Sequence, residues 1–285
     1  MLSYSLQYDH ILYSMNNETC ADKRWGQYWA GYIREKAVEL GKTVYLTDMF
    51  DSWDPTDGNV KGAVVQDSAH HPGHSYYRIA TPGNTYTHPE VYNFVDISNH
   101  NVQVGETHYL TARYVLDRIV ESGIPRPVTC VKIYGGPQET FWDGTSRDGQ
   151  ERFWRNVFAG ISAVRFHRPS TGIGLSDTAK WHIRSMRMLS DEIPVWDFVS
   201  DNAILGDRAA NEAFCLANAA DNKYCVYFPA AGEVILKLPE SEGGSIRWLN
   251  ILEAGWLEEE AISDSQTFRI KTPGDSHWVA MISLQ

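Results

Sequence analysis

Residues 10–19 read HILYSMNNET and join a short apolar run to a polar break. The run at 11–13 has the composition of a buried β-strand. Asn16, Asn17 and Glu18 follow it, and none of these residues suits the continuation of a sheet. A segment rich in Trp and Tyr at helical spacing comes next. A strand that delivers an Asn-Glu pair into the loop before a helix is how a β/α barrel presents side chains at the carboxyl ends of its strands.

The chain up to about residue 190 alternates predicted strands with predicted helices. Strands are predicted at 11–15, 43–47, 92–97, 128–134 and 163–167, and helices at 25–40, 106–122, 150–162 and 176–189. Buried, β-branched strands with helices between them indicate a parallel sheet with helical crossovers. In the helix at 25–40, apolar residues at helical spacing predict the buried face, namely Trp29, Ile33, Ala37 and Leu40.

The pattern changes near residue 200. From there the chain offers only short strands separated by turn clusters, at 212–217, 224–229, 233–238, 245–250, 266–271 and 278–284. Strands of this length and spacing without helices predict an antiparallel β-sandwich. We therefore expect an α/β chain of two domains, with residues 1–200 forming the β/α part and residues 201–285 the sandwich.

Composition excludes several classes of partner. The net charge of −11 argues against binding to a nucleic-acid backbone or an anionic membrane surface. No apolar run approaches the ~20 residues that a membrane span requires, and no signal peptide opens this chain. His70, His71 and His74 lack a cysteine or acidic partner at metal-ligand spacing. We expect neither a metal nor another cofactor.

The four cysteines leave the redox compartment undecided. Their spacing is too wide for a zinc site. Cys215 and Cys225 flank a predicted hairpin turn. Two interpretations stay open: a disulfide across the turn, or two reduced thiols in the core.

Several segments carry a resemblance to a known family. Residues 10–190 resemble strands four to eight of a clan A glycoside hydrolase barrel, and Asn17-Glu18 matches the Asn-Glu pair at the end of strand four in that clan. Residues 149–169 and 224–238 resemble barrel glycosidases that end in a collagen-binding-type β-sandwich domain. The resemblance implies a partial (β/α)8, TIM-type barrel followed by a sandwich. It also implies a carbohydrate substrate and an extracellular or periplasmic location.

The resemblance also indicates what would complete the barrel. The first three βα units of such a barrel have no counterpart in this sequence, and an open sheet remnant has edges that natural folds normally cover. We therefore expect a missing N-terminal half-barrel or a homo-oligomer as the partner.

Glycoside hydrolysis requires two carboxyl groups, one to protonate the leaving oxygen and one to attack or to activate water. The resemblance makes Glu18 the general acid/base, while a carboxylate at the start of a helix can simply interact with the helix dipole. The clan has its second glutamate at the end of the strand that corresponds to residues 128–134. This chain has Lys132 and Tyr134 there instead. Glu139 is the candidate for that role, and ordinary surface exposure is its alternative.

Other side chains at predicted strand ends are candidates for substrate binding: Asn17, Asp48, Asn99, His100, Lys132, Tyr134, Arg165 and His167. An aspartate before a loop is also a common turn former, which is the alternative for Asp48. His100 can equally be a loop histidine bonded to backbone groups. Lys132, Arg165 and His167 fall on adjacent predicted strands. Together they either hold an anionic sugar or neutralise the acids Glu18 and Asp48. On the helix at 150–162, Glu151 is placed to pair with Arg155.

Three functions remain open from the sequence. The first is a glycosidase with Glu18 as its acid, and the second is a carbohydrate-binding relative that has lost its nucleophile. The third is an extracellular protein-binding module carried by the sandwich. Lys132 discriminates between the first two, because it stands where a carboxylate is expected.

Overall fold

A computed structural model describes residues 2–17, 23–49, 64–65, 77–78, 85, 88–97, 105–135, 144–164, 175–238, 243–263 and 267–285. The chain divides into two compact units. The first comprises Met1–Asn101, Thr111–Lys132 and Ile161–Val164, and the second comprises Val102–Leu110, Ile133–Gly160 and Arg165–Gln285. The domain boundary near residue 200 stays a prediction.

The first unit contains mixed helices and short strands. Its helices are α1 (Leu2–Ser5), α2 (Lys23–Glu39) and the part of α3 (Gly105–Glu121) from Thr111 onward. Its strands are β1 (Leu12–Ser14), β2 (Tyr45–Thr47), β3 (Val64–Val65), β4 (Tyr77–Arg78), β5 (Val95–Asp96), β6 (Val128–Cys130) and β7 (Ala163–Val164).

Five of these strands form two parallel groups, each in chain order. β1 pairs with β2, and β6 lies between β5 and β7. The backbone N–H of Asn93 donates to the Leu46 carbonyl at 2.9 Å, and Thr47 Oγ1 donates to the Phe94 carbonyl at 2.9 Å, which joins β2 to the start of β5. The predicted parallel pairing of strands with helices between them is therefore confirmed within each group, and one continuous parallel sheet stays a prediction. β3 and β4 pair antiparallel.

The burial expected for the first strand is wrong. Leu12 is 51% exposed. Tyr13 and Met15 are partly buried and pack on the core of the first unit. Among the described residues β1 pairs with β2 alone, so its other edge has no sheet neighbour there.

Helix α2 is present as predicted, and Ile33 and Ala37 of its expected buried face are buried, whereas Trp29 and Leu40 are not. Ala30, Ile33 and Ala37 are buried against Leu46 and Tyr92. Trp29 is 39% exposed and Leu40 is 58% exposed. Small side chains let the helix axis approach the sheet closely, and the large rings then turn outward. Four rings form this aromatic face of α2, with neighbouring centroids 5.3–6.2 Å apart: Trp25, Tyr28, Trp29 and Tyr32.

The second unit contains two long helices and two antiparallel sheets. The helices are α4 (Ser146–Ala159) and α5 (Asp177–Glu192). The strands are β8 (Val199–Ser200), β9 (Leu205–Gly206), β10 (Phe214–Asn218), β11 (Lys223–Phe228), β12 (Glu233–Lys237), β13 (Gly244–Asn250), β14 (Gly255–Trp256), β15 (Glu260–Ile262), β16 (Thr267–Lys271) and β17 (Trp278–Leu284). The six strands predicted after residue 212 are all confirmed, and no helix occurs in the described part of 212–285.

The two sheets share one apolar core. The larger sheet has the order β14-β13-β17-β11-β10-β8, with β15 also on β13, and the smaller has the order β16-β12-β9. The core takes Val226 and Ala280 from the larger sheet and Leu236 and Ile270 from the smaller one. Burying side chains from two facing sheets in one cluster gives both sheets their main stabilisation.

Helix α4 packs on the opposite face of the larger sheet. Its Trp154 ring stacks on Tyr227 of β11 at 5.9 Å between centroids, and Phe158 lies 5.5 Å from the same ring. Both faces of β10 and β11 are therefore buried. This packing is the physical reason that α4 and the sheets form one compact unit.

The ends of α4 follow from local sequence. Thr145 and Asp148 form a reciprocal capping box, and Gly160 ends the helix at φ 92°. The helix starts before the predicted residue 150 because the box satisfies its first backbone N–H groups. The expected pairing of Glu151 with Arg155 is confirmed, and Arg147 Nε also donates to Glu151 at 2.7 Å.

Cys215 and Cys225 are both reduced and buried. In the β10–β11 register Cys215 lies opposite Val226, and Leu216 lies opposite Cys225. Side chains of adjacent residues point to opposite faces of a sheet, so the two thiols lie on opposite faces. This geometry excludes the disulfide interpretation.

Within the described residues, no helix combines the length and the apolar character that crossing a membrane requires.

Candidate active site

A buried polar cluster lies just beyond the carboxyl ends of β1 and β2. Asp48 directly follows β2 and has no solvent exposure. Asn16 Nδ2 donates to Asp48 Oδ1 at 2.8 Å, and the Tyr92 hydroxyl donates to Asp48 Oδ2 at 3.3 Å. A buried carboxylate is costly unless donors surround it. Both oxygens of Asp48 accept a hydrogen bond, so the side chain is held in one orientation.

Helix α2 closes over this cluster at Gly26. A Cβ atom at this position would overlap Asp48 Oδ2, and it would lie 3.2 Å from the Tyr92 hydroxyl and 3.3 Å from Asn16 Nδ2. Only glycine permits the helix to approach the carboxylate this closely. The cluster therefore includes backbone as well as side chains.

Tyr92 is fixed from the other side by a basic residue. Arg126 Nη1 donates to the carbonyls of Thr85 and Tyr92, at 2.6 and 3.1 Å. Tyr92 is itself fully buried. The donor to Asp48 is thus anchored at its main chain, and the cluster is rigid where a ligand group would approach it.

The next strand ends carry a second buried acid. Asp96 ends β5 and is 3% exposed, and Thr129 Oγ1 of β6 donates to its Oδ2 at 2.8 Å. Lys132, two residues after β6, is 8% exposed. A buried ammonium needs partners, and Lys132 is engaged in further interactions. The parallel strand ends therefore hold both signs of charge.

Four of the ten predicted site residues lie in the described part of the chain. Asp48 and Lys132 are buried, and Asn17 is exposed. Tyr134 is half-buried, and its carbonyl accepts a hydrogen bond from Arg152 Nη1 at 2.9 Å. The remaining predicted site residues lie outside the described residues: Glu18, Asn99, His100, Glu139, Arg165 and His167. Their roles and their convergence stay predictions.

Sequence reasoning missed three side chains of the strand ends. The sequence pattern indicates Asn17 and not its neighbour Asn16 as a site residue. It places Tyr92 and Asp96 within the predicted strand 92–97 and gives neither of them a role in the site. Asp96 was recognisable as the one charged residue in an otherwise apolar run. Asn16 and Tyr92 carry no such local signal, because their partner Asp48 is 32 and 44 residues away in the chain.

The described residues of the cluster include no complete catalytic pair. Asp48 is an acceptor whose oxygens are both engaged, which suits a positioning role more than proton transfer. No group of three or more His, Cys, Asp or Glu side chains forms a metal site among the described residues. His70, His71 and His74 lie outside them.

Comparison with known proteins was made at the levels of sequence and structure. No protein family model and no curated protein sequence matches the chain. Solved structures do match. A family 5 glycoside hydrolase from Bacteroides vulgatus is similar with a TM-score of 0.69 at 12% identity, over 99% of this chain and 65% of that one. A second structure, described as a glycoside hydrolase, has a TM-score of 0.63 at 12% identity, over 100% of this chain and 67% of that one.

These likenesses show the fold alone. The chain has the mixed α/β fold of glycoside hydrolases, and it spans 65% of the length of the Bacteroides vulgatus structure.

Proposed function

We propose that the chain is an O-glycosyl hydrolase that acts on an oligo- or polysaccharide by carboxylate general acid/base catalysis. The observation that carries this proposal is the buried Asn16–Asp48–Tyr92 cluster at the ends of parallel strands. In a fold shared with glycoside hydrolases, fixed polar groups at that edge are suited to holding a substrate.

The proposed roles follow the sequence. Glu18 is the general acid/base, and Asn17 binds a sugar hydroxyl beside it. Asn16 is hydrogen-bonded to Asp48 and directly precedes these two residues, so the cluster anchors the start of their loop. Glu139 supplies the second carboxylate. The remaining proposed substrate contacts are Asp48, Asn99, His100, Lys132, Tyr134, Arg165 and His167.

The proposed architecture is a partial TIM-type barrel in residues 1–200 followed by a β-sandwich in residues 201–285. β1 then corresponds to barrel strand four, and the two sheets around the shared core correspond to the sandwich. The chain order of the parallel strands within each of the two groups, β1-β2 and β5-β6-β7, supports the barrel, because doubly wound sheets reverse their strand order. An extracellular or periplasmic site of action agrees with a polysaccharide substrate.

A second function is favoured by one residue. Lys132 is buried after β6, where the resemblance expects a nucleophilic carboxylate. A chain without that carboxylate would bind a saccharide without cleaving it. The alternative is therefore a non-catalytic carbohydrate-binding relative.

The experiment compares wild type, Glu18→Gln and a control, Glu121→Gln, on chromogenic glycosides and polysaccharides. Glu121 ends α3 and pairs with Arg118 at 2.9 Å on the surface. Removing a general acid lowers kcat by about 10²–10⁴-fold, while the control should leave it unchanged. A dinitrophenyl glycoside needs little protonation to depart, so Glu18→Gln should cleave it far better than an unactivated substrate.

Three outcomes separate the functions. If Glu18→Gln hydrolyses all substrates like wild type, the assignment of Glu18 is wrong. If wild type binds a polysaccharide but cleaves none, the carbohydrate-binding alternative replaces the enzyme. If wild type neither binds nor cleaves any saccharide, both proposals fail.

A further inference from the structure

The first two turns of α5 border a cavity of about 380 Å³. Its described lining consists of four side chains at helical spacing: Asp177, Lys180, Trp181 and Arg184. These positions share one face of the helix. The volume falls in the range of about 300–1,000 Å³ that is usual for small-molecule sites. None of these residues belongs to the strand-end cluster of the other unit.

The four described lining residues of this cavity carry a net positive charge. Lys180 Nζ lies 2.8 Å from Asp177 Oδ1, so these two residues neutralise each other, and the pairing lowers the pKa of Asp177. Arg184 has no carboxylate partner among the described residues. One positive charge therefore remains, on a chain whose net charge is −11. A local cation on an acidic protein attracts anions to that place.

Arg184 is also oriented by its neighbour. Its guanidinium lies over the Trp181 ring, 5.6 Å from the ring centroid. Stacking on an indole restricts the rotamers of a long side chain, and a guanidinium has five N–H donors in a planar fork that matches a carboxylate or a sulfate. The arrangement therefore presents donors that are already oriented.

Trp181 supplies the apolar part of the cavity. It is 42% exposed, so part of its ring surface is available for contact with a ligand. Flat apolar surface next to oriented donors suits a ring that has an apolar face and charged substituents.

We propose that this face of α5 is a binding site for an acidic saccharide, with Arg184 holding a carboxylate or sulfate group and Trp181 contacting the sugar ring. The anionic character follows from the charge of the cavity, whereas the choice of a saccharide rests on the proposed function. None of its residues belongs to the strand-end cluster, so it adds contacts to the acidic substrate chain beyond those made at the cleaved bond.

The test is calorimetric titration of the full chain at low salt. The probes are tetragalacturonate, a sulfated chondroitin tetrasaccharide, neutral cellotetraose and inorganic sulfate. We expect binding of one or both acidic saccharides, weaker binding in high salt, and little binding of cellotetraose. The first two probes distinguish a carboxylate ligand from a sulfate ester. Removing a charge-assisted hydrogen bond in Arg184→Gln should weaken binding about 10- to 100-fold.

Matched variants on the same surface provide the controls. Arg187→Gln removes an exposed arginine of α5 that pairs with Asp191 at 2.9 Å, and Trp196→Ala removes a tryptophan that is 74% exposed. Neither should change the affinity, whereas Trp181→Ala should abolish binding. Melting temperatures show whether each variant is folded.

The contrary results are equally defined. Any one of three results would overturn the proposal. The first is equal affinity for cellotetraose and the acidic probes, and the second is an equal loss of affinity in Arg184→Gln and Arg187→Gln. The third is inorganic sulfate competing as well as the sulfated saccharide. The Glu18→Gln variant should bind the acidic probes like wild type. A chain that binds the acidic probes but hydrolyses no saccharide would contradict the proposed hydrolase function alone. A chain that hydrolyses saccharides but does not bind the acidic probes would contradict the binding site on α5 alone.

Discussion

At the scale of single residues, Gly26 determines how closely α2 approaches the strand ends. Replacing it with alanine places a methyl group against Asp48 Oδ2, so the carboxylate or the helix must move. We expect Gly26→Ala to destabilise the first unit by about 1–3 kcal/mol, as overpacking usually does. Chemical denaturation measures this change.

Gly31 provides the matched control in the same helix. No atom lies within 4 Å of a Cβ built at this position. Gly31→Ala should therefore stabilise the helix by roughly 0.5–1 kcal/mol. Equal effects of the two substitutions would show that Gly26 has no special role.

His277 makes stability depend on pH. It is 7% exposed, and burial together with Arg147 and Arg155 lowers its pKa from 6.5 to about 3. Below pH 6.5 the unfolded chain takes up a proton that the folded chain refuses, so stability falls as the pH is lowered toward 3. At 1.36 kcal/mol per pKa unit, the loss between pH 7 and pH 5 is about 2 kcal/mol.

Denaturation midpoints of wild type and His277→Gln between pH 5 and 7 test this expectation. The variant should lose that part of the pH dependence, whereas substitution of the exposed His10 should not change it. A His277→Gln profile parallel to wild type would show that the histidine is already protonated, or more accessible, in the folded protein.

At the scale of elements, the β10–β11 pair determines the behaviour of the thiols. Cys215 and Cys225 are buried on opposite faces, and burial raises the pKa of both thiols. A thiol is a nucleophile only as the thiolate. We expect neither residue to react with a maleimide until the sheet unfolds, with mass spectrometry locating the label. Rapid labelling of the native protein at either position would contradict the described packing.

The elements also show what the sequence could predict. The strands after residue 212 were recognisable because turn residues punctuate them, and α5 because Ser176 caps it. The buried face of α2 was recognisable only in part, since Ile33 and Ala37 are buried as predicted. Ala30 is buried although Trp29 and Leu40 are more apolar, because a small residue allows a closer approach.

The candidate site was predictable only at positions where a strand end gives a local signal. Asp48 follows a strand and was identified for that reason. Its fixed orientation depends on Asn16 and Tyr92, which become neighbours only when the strands align. Contacts between distant segments are a property of the fold, and no window of sequence contains them.

At the scale of the whole molecule, one described apolar cluster lies in the first compact unit and another lies in the second. Regions of a chain that have their own apolar clusters can lose their structure in separate steps. We expect two unfolding transitions in calorimetry. Gly26→Ala should lower one of them, and His277→Gln should alter the pH dependence of the other. One transition that responds to both substitutions would show that the units unfold together.

The aromatic face of α2 has an optical consequence. The Trp25 and Trp29 rings lie 6.2 Å apart at 60°, close enough for their electronic transitions to couple. Coupled indoles contribute circular dichroism in the spectral region where helices also absorb. Substituting Trp29 with leucine would therefore change the far-ultraviolet spectrum even if no helix unfolds, and a helix content read from that spectrum must allow for the two rings.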